Sequence, residues 1–71
     1  MKYIEAYMKA ESPQELIDMV RYDVAIWNMY SSDNTDRISH IEQALNEAAN
    51  KKNWNITRIK MKLKQEGCNI G

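Results

Sequence analysis

Between Pro13 and Tyr30 apolar residues recur at helical spacing along two separate lines. Leu16, Ile17, Val20, Val24 and Trp27 make one; Met19, Tyr22, Ile26, Met29 and Tyr30 make another, rotated away from the first. A start signal precedes them: Ser12-Pro13-Gln14-Glu15 places serine at a cap, proline at the first helical position and glutamate three after the cap. Ser31, Ser32, Asp33 and Asn34 stop this helix, and Asn34 or Thr35 caps a second one to about Asn50. The second helix is ordinary, with Ile38, Ile41, Leu45, Ala48 and Ala49 on one face and Ser39, Glu42, Gln43, Asn46, Glu47 and Asn50 on the other.

The two ends carry double patterns. In residues 2–10, Ile4, Ala6, Met8 and Ala10 alternate with Tyr3, Glu5, Tyr7 and Lys9 as in a strand, while Tyr3, Ile4, Tyr7 and Met8 also make a helical stripe. A helix here would turn into the Ser12 cap without a glycine, which favours the strand. After Trp54, Ile59, Met61 and Leu63 alternate with Arg58, Lys60, Lys62 and Lys64. A helix capped by Asn55 fits too, with Ile56, Ile59 and Leu63 on one face, Gly67 ending it and Cys68 touching Leu63. An N-terminal strand needs a ladder partner, and the C-terminal segment is the only candidate. The expected fold is therefore an α+β single domain spanning residues 1–71: strand–helix–helix–strand, two central helices against a small two-stranded sheet. An all-α bundle of three to four helices is the alternative.

Size sharpens the question of partners. A 71-residue chain buries only about 60% of its unfolded surface and needs good packing or a partner chain. Its single cysteine, Cys68, makes no internal disulfide, and with His40 it cannot complete a zinc site, so no cofactor or metal is expected. No apolar run is long enough to span a membrane and no signal-peptide pattern opens the chain, so a cytoplasmic location is expected. Its asparagine, lysine and isoleucine content is that of small proteins of AT-rich bacteria and their phages, an association of composition alone. The zero net charge hides a split. Residues 1–50 hold four basic groups against nine acidic ones, a balance of −5; residues 51–71 hold six against one, +5. Separated charge of this size steers partners.

Catalytic chemistry finds no footing. His40 has Asp36 one turn away but no serine or cysteine in a nucleophile arrangement, and reads as an exposed helical histidine. The Glu15–Asp18 and Glu42–Glu47 carboxylates fall on polar faces. Residues 32–36 lack the glycine and the twelfth-position glutamate of a calcium loop, and two glycines, Gly67 and Gly71, cannot form a phosphate loop. Cys68 would be reactive if lysines lowered its pKa, but a small residue near the chain end explains it as well. The expectation is a non-enzymatic protein-binding module, a homodimeric accessory, regulatory or inhibitory protein. Met19, Tyr22, Ile26, Trp27, Met29 and Tyr30 are its interface candidates, being of types enriched in interface cores. The alternative is a nucleic-acid-binding regulator. It would use Arg58, Lys60, Lys62 and Lys64, which as a strand make one cationic face, with Lys51, Lys52 and Trp54 nearby; the same residues suit an acidic protein partner.

Overall fold

In the computed structural model, which describes residues 2–30, 33–68 and Ile70, four helices follow one another: α1 (Tyr3–Tyr7), α2 (Pro13–Tyr30), α3 (Thr35–Lys51) and α4 (Ile56–Gln65). No strand occurs among the described residues, so the expected strand–helix–helix–strand fold is overturned and the all-α alternative fits the chain. The start of α2 is built as its residues imply. The Glu15 amide donates to Ser12 Oγ at 3.1 Å, and Glu15 Oε2 accepts from the Glu11 amide at 3.2 Å, one residue ahead of the partner a capping box uses. At the other end Ser31 and Ser32, expected as part of the stop, lie outside the described residues. Asn34 holds the cap position of α3 but makes no side-chain cap; its side-chain Nδ2 donates instead to Asn28 Oδ1 at 2.6 Å.

Both end segments are helices for identifiable reasons. After α1 the backbone tightens: Lys9 and Ala10 amides donate to the Ala6 and Tyr7 carbonyls at 3.0 and 3.2 Å. These bonds to the third residue back close the helix without a glycine, which removes the objection to it. Tyr7, on the polar face in a strand, is completely buried in the helix. With Tyr3–Tyr7 helical and no strand in residues 2–10, residues 56–65 have no ladder partner. Asn55 Oδ1 accepts from the Arg58 amide at 3.2 Å, opening α4. Gly67 ends it at φ +86°, with Cys68 donating to the Leu63 carbonyl at 2.8 Å and Gly67 to that of Lys64 at 3.1 Å, a Schellman motif. Ile59 and Leu63 are buried and Met61 is 58% exposed, so the period is that of a helix.

A second Schellman motif ends α3. Asn53 takes the left-handed position at φ +58°; Trp54 donates to the Ala49 carbonyl at 2.9 Å and Asn53 to that of Asn50 at 3.2 Å. This turn folds Trp54 back against the core. Helix α3 packs against the other three, and α2 also meets α4. On α3 the small Ala44, Ala48 and Ala49 are buried beside Ile41 and Leu45. Opposite them lie Tyr7, Leu16, Ile17, Val20, Ile59 and Leu63, in one buried cluster. Each such large side chain stabilises the fold by about 1.5–3 kcal/mol through its removal from water.

Candidate functional site

The two apolar lines of α2 have different fates. Leu16, Ile17, Val20 and Val24 are buried. The second line stays largely in solvent: Tyr22 is 68% exposed, Met29 and Tyr30 79% each, and Met19 and Ile26 are half-buried. Met19, Tyr22, Ile26 and Met29 are spaced three, four and three residues apart, the spacing of a helix-pairing seam. Trp27, grouped with them from the sequence, does not join them. Its indole Nε1 donates to the Tyr3 hydroxyl at 2.6 Å, and the Arg37 guanidinium lies 4.9 Å over its ring. Trp27 thus ties α1 and α3 to α2 and belongs to the fold.

A neighbouring bond does the same work. The Tyr7 hydroxyl donates to Asp23 Oδ2 at 2.7 Å. Burial, then the hydrogen bond and charge of Asp23, push the Tyr7 phenol far above its ordinary range, so it remains a donor. Beside this pair an open cleft of about 540 Å³ runs past Tyr3, Trp27, Arg37 and His40. Its walls mix both charge signs, and the Trp27 indole and Arg37 guanidinium on them are already engaged with Tyr3 and with the Trp27 ring.

The basic residues do not form the single face that a strand would give, because the helical pitch spreads them. Lys60 Nζ reaches Glu42 Oε2 at 3.2 Å and Lys51 Nζ reaches Glu47 Oε1 at 3.4 Å, so part of the opposed charge is matched within the fold. Arg21 pairs with Glu66 at 3.3 Å. Lys64 lies exposed on the outer side. Arg58, Lys62 and Trp54 do converge, on a groove of about 380 Å³ that α2 completes with Pro13, Gln14 and Ile17. Lys52 Nζ sits 5.2 Å over the Trp54 ring. Sequence reasoning missed the α2 side of this groove, since nothing local links Pro13 or Ile17 to Arg58. It also missed the exposure of Met61, which follows from the helical period.

No family model, curated protein or solved structure matches this chain. Its chemistry is therefore read from its own side chains. Among the described residues no group of three or more His, Cys, Asp or Glu side chains is placed to hold a metal ion. Cys68 is buried, and burial raises its thiol pKa despite the opposing pull of Arg21. No helix among the described residues is long and apolar enough to cross a membrane.

Proposed function

We propose that this protein is a non-enzymatic protein-binding module that works as a homodimer joined through the exposed line of α2. The observation that carries this reading is the seam of Met19, Tyr22, Ile26, Met29 and Tyr30, which has helix-pairing spacing and leaves Tyr22, Met29 and Tyr30 mostly in solvent beside half-buried Met19 and Ile26. An antiparallel pair of α2 helices sets Tyr22 against Ile26 of the second copy and Met19 against its Met29. One patch then serves both subunits. The flanking Glu15 and Asp18 lie toward the start of each helix, so in that arrangement the acids of the two copies are held apart. The side chains offer roughly 500 Å² from each copy, about 1,000 Å² in total, at the lower end of specific interfaces. Such a dimer is reversible at micromolar concentration. Sedimentation equilibrium from 1 to 500 μM tests it: the mass should climb from 8.4 kDa toward twice that value. Tyr22→Glu with Met29→Glu should hold it at the monomer. A wild-type protein that stays monomeric across the range removes the homodimer.

A further inference from the structure

We propose that the groove between the first turn of α2 and the start of α4 is a docking site for an acidic peptide segment bearing a large apolar side chain. Its floor is apolar and fixed. Ile17 and Ile59 are 1% and 3% exposed, and half-buried Trp54 and exposed Pro13 flank them. At about 380 Å³ the groove is at the small end of ligand-holding clefts, so it takes one or two side chains rather than a whole cofactor.

Its rim is cationic. No acidic side chain lines it. Among the described residues Arg58 makes no ion pair, and the one side-chain bond of Lys62 is to Gln14 Oε1 at 3.2 Å. The contrast with Lys51 and Lys60, both matched by glutamates, is what marks this side of α4. A carboxylate-bearing partner supplies what the rim lacks, and an apolar anchor fills the floor; charge complementarity selects the partner while the anchor holds it. A nucleic acid suits the groove less well. Phosphate binding depends on many cations along a track, and here two, Arg58 and Lys62, flank one concave apolar floor in a chain of zero net charge.

The site does not depend on the pairing of α2. Ile17 and Ile26 are nine residues apart, two and a half helical turns, so the groove and the exposed seam face opposite ways. A dimer would present two grooves, and a partner with two acidic segments would gain avidity.

Fluorescence anisotropy with the full chain tests the proposal. The probe is a fluorescein-labelled ten-residue peptide with a central Leu-Phe pair and four glutamates on either side. Micromolar binding at 50 mM salt is expected, weakened at least about tenfold by Arg58→Glu with Lys62→Glu. The neutral pair Arg58→Gln with Lys62→Gln should act in the same direction, with circular dichroism confirming that both variants keep the helical fold. Replacing Leu-Phe by Gly-Ser in the probe should also abolish binding, while Tyr22→Glu with Met29→Glu should leave it unchanged. Three results overturn the proposal: no binding at 50 mM salt, equal binding of the Gly-Ser probe, or tighter binding of a labelled ten-residue oligothymidine than of the peptide.

Discussion

Among the described residues two hold the left-handed conformation, and they respond to substitution with opposite signs. Gly67 sits at φ +86°, and a Cβ built there meets nothing within 4 Å among the described residues. Gly67→Ala therefore carries the backbone term alone, a loss of about 1–2 kcal/mol. In a domain of this size that lowers Tm by about 4–8 °C per kcal/mol. Asn53, at φ +58°, already bears part of such a penalty, so Asn53→Gly should raise stability by about 0.5 kcal/mol. Thermal melts followed by circular dichroism read both changes. Tyr7 gives a pH signature. Burial and Asp23 keep its phenol protonated in the folded state, whereas in the unfolded chain it ionises near the ordinary tyrosine value of about 10. The folded pKa is the higher one, so the stability Tyr7 contributes is fully present below about pH 10 and is lost as pH rises beyond it. The fall is up to about 1.4 kcal/mol per pH unit. Urea unfolding from pH 9 to 11 should show this slope, and Tyr7→Phe should flatten it while lowering stability at neutral pH by about 1 kcal/mol through the lost Asp23 bond.

At the level of elements, α4 separates the two periodicities that its sequence allows. A strand turns Met61 and Leu63 to the same face; the helix buries Leu63 and leaves Met61 58% exposed. Leu63→Ala should destabilise by about 2–5 kcal/mol and Met61→Lys by less than about 0.5 kcal/mol, measured by urea denaturation. Equal losses at both positions contradict the helix. This segment also shows what the sequence makes legible. Helix α2 is readable because its cap is local and its apolar lines run for 18 residues, beyond the reach of a strand. Residues 2–10 and 56–65 are short enough to satisfy both periods. Asn55 and Gly67 were correct local signals for a helix, but a strand assigned at the N-terminus demanded a ladder partner, and one misassignment carried the other with it. The i→i+3 closure after α1 has no glycine or proline to announce it. The exposed seam of α2 was legible as surplus apolar surface. The groove was not, because its floor joins Ile17 to Ile59 through packing that no local pattern encodes.

For the whole molecule, shape explains why α2 keeps an open face. Its extents are 33 × 27 × 16 Å, and two packed helix layers with axes about 8–10 Å apart already fill the short dimension, so no third layer lies over α2. Its accessible surface of 5030 Å² exceeds the about 4,600 Å² expected for a compact monomer of its mass. The split of −5 and +5 offers a competing route to assembly, with the acidic part of one copy against the basic part of the next. The two routes respond oppositely to salt. Raising NaCl from 50 to 500 mM shortens the Debye length from about 14 Å to about 4 Å and screens attraction between exposed charges. An apolar α2 seam gains or holds affinity under that change, because its contact is made by uncharged side chains, and in the antiparallel pairing Glu15 and Asp18 of one copy stand away from those of the other. A head-to-tail contact loses affinity steeply, and being heterologous it continues past the dimer. Sedimentation equilibrium at the two salt concentrations should therefore give a mass limit of two copies and an association constant that stays within about threefold or rises. Dissociation on adding salt, or a mass beyond two copies at 50 mM, assigns the contact to the charge split and not to the seam of α2.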